Sequence, residues 1–141
     1  MNKIRLTKQL EIDEGRRKRI YLDTAQPPKW TGGVGRNLTD RGFNDDEIDL
    51  MLANDIKLAE RDARALVPGF DRLDDVRQEV LVNMAFNLGY SRLSGFKKFL
   101  TAVNSSRFAE AADEMEDSKW FKQVGQRGVR LRDAMRTGVF K

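Results

Sequence analysis

Ile12-Asp13-Glu14-Gly15, then Ile20-Tyr21-Leu22-Asp23-Thr24, then Trp30-Thr31-Gly32-Gly33-Val34-Gly35 form the stretch whose reading decides the fold. Leu6, Leu10 and Ile12 before it have helical spacing, and Gly15 stops that helix as a C-cap would, so a first helix is predicted over residues 6–15. After Gly15 the pattern changes to short β-type runs at Ile20–Leu22, Trp30–Val34 and Leu38–Thr39, separated by Ala25-Gln26-Pro27-Pro28 and by Gly32, Gly33 and Gly35. A small antiparallel sheet of two or three strands is expected. Glu14 then stands at the end of a helix and Asp23 at the end of a strand, where the two can face each other across a turn.

Beyond this stretch the chain reads as helical. Asn44-Asp45-Asp46-Glu47 has the form of a capping box, with acids placed favourably for the helix dipole. Ile48, Leu52, Ile56 and Ala59 continue at helical spacing to about Leu66, because Pro68 disfavours helical geometry at Val67. A rod of about 30 Å results. Asp75 to Leu88 is the most apolar helix, closed by Gly89. Shorter helices are predicted at Ser94–Asn104, Arg107–Glu116, Ser118–Gln123 and Gln126–Thr137, with Ser94 and Ser106 as N-caps. The fold class is therefore α+β, mostly α. It is expected as one catalytic domain, with residues 14–66 as a small N-terminal lobe plus connecting helix. Residues 67–141 with the N-terminal helix form a helical lobe, leaving a cleft between the two.

Composition narrows the chemistry. The 141 residues contain no cysteine and no histidine, which excludes disulfides, the common zinc ligand sets and Ser-His or Cys-His nucleophiles. Carboxylates remain the natural groups for proton transfer. No cofactor and no metal is expected. No run of about 20 apolar residues exists, and Lys3, Arg5 and Lys8 interrupt the start, so neither membrane insertion nor a signal peptide is expected. The net charge of +4 is concentrated at both ends, whereas residues 40–79 carry twelve acids against six bases. Basic ends favour a polyanion such as murein peptides, envelope polymers or nucleic acid, and equally suit solvated helix faces.

Cleaving a glycosidic bond needs one protonated carboxyl for the leaving oxygen and one carboxylate on the far side of the sugar. Two acids alone are weak support, since most Asp and Glu are solvated surface residues. The order of motifs is specific. Asp13-Glu14-Gly15, Tyr21-Leu22-Asp23-Thr24 and the turn from Thr31 to Gly35 are followed by Asn83-Met84-Ala85-Phe86-Asn87-Leu88-Gly89, Ser118-Lys119-Trp120-Phe121, Gln126-Arg127 and Arg136-Thr137-Gly138. Together they resemble the T-even phage type of lysozyme, a glycoside hydrolase family, over nearly the whole chain.

That resemblance implies a lysozyme-like two-lobed fold and hydrolysis of the β-1,4 bond between N-acetylmuramic acid and N-acetylglucosamine in bacterial peptidoglycan. It makes Glu14 the general acid, with Asp23 and Thr31 directing water on the opposite face with inversion. Arg127 would approach Glu14 and hold it. Asn37, Phe86 and Asn87 match substrate-binding positions, although core packing is the stronger expectation for Phe86 and for Trp30. The resemblance also implies a monomer made in the host bacterial cytoplasm that reaches the wall with a holin-like membrane permeabiliser. Two departures stand out: a longer 23–31 connection containing Pro27-Pro28, and Arg36 where the family type has a histidine paired with an aspartate. Asp55 matches that aspartate, so an Arg36–Asp55 ion pair is expected. The rival readings are a lytic transglycosylase, a basic helical nucleic-acid-binding module and an inactive wall-binding domain. Asp23 and Thr31 argue against the first, since such enzymes on related folds need only the glutamate; the acidic middle argues against the second.

Overall fold

The computed structural model describes residues 1–141. Two compact units divide the chain, Met1–Leu50 and Met51–Lys141. The elements are α1 (Lys3–Glu14), β1 (Arg17–Leu22), β2 (Trp30–Gly33), β3 (Arg36–Asn37), α2 (Leu38–Arg41), α3 (Asp45–Leu66), a 3-10 turn (Phe70–Arg72), α4 (Asp75–Ser94), α5 (Lys97–Asn104), α6 (Phe108–Glu116), α7 (Lys119–Val124) and α8 (Gln126–Thr137). This is an α+β, mostly α fold, as expected from the sequence. No helix is long and apolar enough to cross a membrane.

In the first unit, Asn2 caps α1 by accepting from the Arg5 N–H, and Gly15 ends it by donating to the Glu11 carbonyl. The strands form one antiparallel sheet in the order β1-β2-β3. Arg17 pairs with Gly33, Tyr21 with Thr31 and Leu22 with Trp30, with a register shift between Arg17 and Tyr21. Strand β1 begins earlier than its apolar residues suggest, because the edge position tolerates the exposed basic run Arg17-Lys18-Arg19. Leu38–Thr39, expected as strand, is helical instead. The Asn37 side chain accepts from the Asp40 N–H and starts a single helical turn, which Gly42 closes. Thr39 Oγ1 accepts from the Trp30 N–H at 2.8 Å and ties that turn to β2.

The expected Arg36–Asp55 pair does not form; Arg36 pairs with Glu47. The reason is reach. Only Gly42-Phe43-Asn44 separates α2 from α3, so β3 is followed closely by the first turn of α3, where Glu47 lies. Asp55 stands two further turns along the helix, about 12 Å away along its axis. Glu47 also accepts from the Asn44 N–H at 2.7 Å, completing the expected return bond of the capping box.

The second unit has its own core. Val80, Leu81, Met84 and Ala85 of α4 are buried with Phe99, Val103, Ala111, Ala112, Met115, Trp120, Leu131 and Met135. Asp74 caps α4, accepting from the Arg77 N–H. The helix breaks where the sequence predicts: Gly89 has φ 78° and ψ 168°, a conformation open to glycine, and a further helical stretch then runs to Ser94. Ser94 therefore ends α4 rather than capping α5, whose N-cap is Phe96, and Arg107 rather than Ser106 precedes α6. Ser118 caps α7, accepting from the Phe121 N–H. Trp120 meets Phe96 edge-on, with centroids 6.3 Å apart.

Arg77 completes the end of α8. A helix leaves its last carbonyls without intrahelical partners. Gly138 N–H takes Ala134, while the Arg77 Nε and Nη2 donate to Met135 at 2.8 Å and Arg136 at 3.0 Å. The guanidinium also pairs with Asp74 at 2.9 Å and stacks 3.9 Å from the Phe108 ring centre. One side chain thus joins the start of α4 to the end of α8. Arg77→Ala should cost about 2–3 kcal/mol from the lost charge-assisted bonds and lower the melting temperature by about 6–10 °C in a thermal scan. Arg77→Lys should recover only part, since an ammonium lacks the planar fork.

The Arg36–Glu47 pair sets a pH dependence. The Arg36 guanidinium, followed by the Asn44 N–H, holds the Glu47 carboxyl well below its ordinary value of 4.5, at about 2. A depressed carboxylate contributes stability above its unfolded value, and that contribution is lost as pH falls toward the folded value. Stability of the native chain should therefore drop between about pH 5 and 2 more steeply than that of Glu47→Gln, measured by urea unfolding across that range.

Candidate active site

The loop joining β1 to β2 is closed through the backbone of one residue, Lys29. The Lys29 N–H donates to Asp23 Oδ1 at 2.8 Å, and the Lys29 carbonyl accepts from the Asp23 N–H at 2.9 Å. The same carbonyl accepts from the Thr31 hydroxyl at 3.1 Å. Asp23 and Thr31, eight positions apart, are thereby tied to a common backbone group. A second N–H, from Ala25, also reaches Asp23 Oδ1, at 3.0 Å. Both donors use Oδ1, so neither engages Oδ2.

Thr31 is 5% exposed and is the one polar residue among the buried ones. It lies mid-sheet, paired with Tyr21 on β1 and Asn37 on β3. Trp30 beside it is 48% exposed, not the core residue expected. Alternation explains this, because adjacent strand residues face opposite sides and Thr31 takes the buried one.

Glu14 ends α1 at the opposite end of the β1–β2 hairpin from Asp23 and is exposed. Its carboxyl lies against Gly35 in the turn between β2 and β3: a Cβ built on Gly35 would stand 2.7 Å from Glu14 Oε2. The hairpin thus carries Glu14 near its Arg17–Gly33 end and Asp23 beyond its Leu22–Trp30 end.

The expected substrate-binding residues divide. Asn37 is occupied as the α2 cap: its Oδ1 accepts from the Asp40 N–H and its Nδ2 donates to Asp40 Oδ2 at 2.9 Å. In the second unit, Phe86 is 45% exposed, so the expectation of core packing is corrected. Together with Arg127 it lines a groove of about 500 Å³, whose apolar wall is completed by Leu52, Ile56, Phe70 and Val82. Asn87 Oδ1 accepts from Trp120 Nε1 at 2.7 Å, which orients the indole. Arg127 is held by Asn83, its Nε and Nη2 donating to Asn83 Oδ1 at 2.9 and 2.7 Å. Asn83 is the residue sequence reasoning passed over. The available signal was an amide between Val80 and Ala85 on the most apolar helix, where a polar side chain needs a partner. No group of three acidic side chains lies close enough to hold a metal ion.

The phage lysozyme family model matches residues 11–135. The chain belongs to the phage lysozyme family. It is 27% identical to probable T4-type lysozyme 2 of Dictyostelium discoideum, over 94% of each chain, and 25% identical to probable T4-type lysozyme 1 of the same organism, over 92% of each. It is also 25% identical to the pre-baseplate central spike protein Gp5 of Enterobacteria phage T4, over 94% of this chain and 28% of that protein. Membership accords with the lysozyme-like, mostly α fold, and the matched span includes every residue of the candidate site.

Asn83→Ala would leave the Arg127 guanidinium without its two bonds to Oδ1. In this lysozyme-family chain it should lower stability by about 1–3 kcal/mol, and Arg127→Ala should not add fully to it, as read from a double-mutant cycle in urea.

Proposed function

We propose that this chain is a muramidase hydrolysing the β-1,4 bond between N-acetylmuramic acid and N-acetylglucosamine of peptidoglycan, as an endolysin-type enzyme. The observation that carries the reading is the backbone of Lys29, whose N–H holds the Asp23 carboxylate and whose carbonyl accepts from the Thr31 hydroxyl, at one end of a hairpin whose other end leads to the Gly35 turn beside Glu14. Family membership supplies the substrate class.

In this reading Glu14 is the general acid. It gives its proton to the glycosidic oxygen as the bond to the anomeric carbon breaks, so the leaving sugar departs as an alcohol. Asp23, through Oδ2, and the Thr31 hydroxyl oxygen orient a water on the opposite face. Its oxygen bonds the anomeric carbon as its proton passes to the carboxylate, which inverts the centre. Fixing the carboxylate by two backbone N–H groups supports this role, because a held base loses less orientational freedom when water binds. In the second unit, the groove lined by Phe86 and Arg127 offers an apolar face and a cation, which suit a sugar-peptide strand. A wall substrate lies outside the membrane, so action on it in the host calls for a holin-like permeabiliser.

Turbidity loss of outer-membrane-permeabilised bacteria tests the reading. Glu14→Gln should lose at least about 10³-fold in rate while its melting temperature is kept. Asp23→Ala should lose about 10²–10⁴-fold, and Thr31→Ala about tenfold, since it removes a hydrogen bond rather than a charge. Full activity in Glu14→Gln would overturn the assignment. Mass spectrometry of the products should show reducing sugar ends; 1,6-anhydro ends would make the enzyme a lytic transglycosylase.

A further inference from the structure

We infer that Gly35 is a positioning residue for the Glu14 carboxyl: its bare Cα forms the surface on which that carboxyl rests, and any side chain there would displace it. The inference rests on the proposed role of Glu14 and adds a residue to that site.

Gly33, the last residue of β2, and Gly35, in the turn that follows, both have positive φ, 61° and 63°. A positive φ strains an L side chain at both. Their surroundings differ. A Cβ at Gly33 would meet nothing within 4 Å. A Cβ at Gly35 would lie 2.7 Å from Glu14 Oε2, 2.9 Å from Cδ and 3.0 Å from Cγ. All three atoms belong to the outer part of one exposed, rotatable side chain, with no backbone among them. The clash is therefore relieved by moving the carboxyl, not by moving the sheet. The fold tolerates the change and the acid does not, because a reacting group displaced by about 1 Å can lose about 10²-fold in rate. Gly33 is the internal control, carrying the strain without the clash.

The experiment compares Gly35→Ala with Gly33→Ala in the full chain, using soluble wall fragments for kcat and KM and thermal scans for stability. Both variants should show similar drops in melting temperature. Gly33→Ala should keep kcat within about threefold, whereas Gly35→Ala should lose about 100-fold in kcat with KM within about threefold. Equal kcat values in the two variants would overturn the inference. A second readout needs no activity: with 13C-labelled glutamate, the Glu14 carboxyl resonance, assigned by its loss in Glu14→Gln, should move in Gly35→Ala and stay in Gly33→Ala. An unmoved resonance in Gly35→Ala would also overturn it. A moved resonance together with an active Glu14→Gln would leave the seat in place and remove the catalytic reading, so the two failures are distinguishable. Should Gly35→Ala fail to fold where Gly33→Ala folds, the clash has fallen on the fold and the inference is wrong.

Discussion

The backbone of Lys29 is the constraint on which the first unit depends. It closes the 23–29 loop by exchanging two hydrogen bonds with Asp23 and takes a third from Thr31. Loop closure costs chain entropy, and Pro27 and Pro28 reduce that cost by limiting the open states the loop could adopt. The residue that organises the carboxylate and the hydroxyl does so through its backbone, so its side chain is free for another task. Its ammonium lies 3.3 Å from Asp40 on α2.

The ends of this hairpin are built from different physics. At the Asp23 end, donors converge on a carboxylate oxygen and hold it in a fixed direction. At the Glu14 end there is an absence of bulk: a glycine surface against which a long, rotatable carboxyl rests. In the proposed mechanism both devices serve position, the first by holding a base with hydrogen bonds and the second by letting an acid rest close against the backbone. The neighbouring turn into α3 is locked separately by Arg36 and Glu47.

The second unit repeats the theme of one polar side chain completing several backbone ends. Arg77 serves the carbonyls of α8, the cap of α4 and the ring of Phe108. Asn83 plays a different part on the same helix, its side-chain oxygen accepting two bonds from the Arg127 guanidinium. Because that helix buries Val80, Leu81, Met84 and Ala85 on one side, Phe86 is turned to the groove.

Local chemistry made much of this legible before any coordinates. Helix stops at Gly15 and Gly89, the start at Asn44-Asp45-Asp46-Glu47 and the end before Pro68 follow from backbone freedom, capping and dipole effects that operate within four or five residues. The order of motifs identified the family and with it the candidate acids. Leu38–Thr39 misled because the capping bond of Asn37, which ends the strand there and starts a helical turn, is visible only once its hydrogen bond is seen. Which partner Arg36 selects, which face Phe86 and Trp30 present, and how the Lys29 backbone and the Gly35 surface meet Asp23 and Glu14 were decided only in three dimensions. Those outcomes depend on distances between segments remote in sequence and on backbone atoms that every residue shares, and neither leaves a mark in the identity of a side chain.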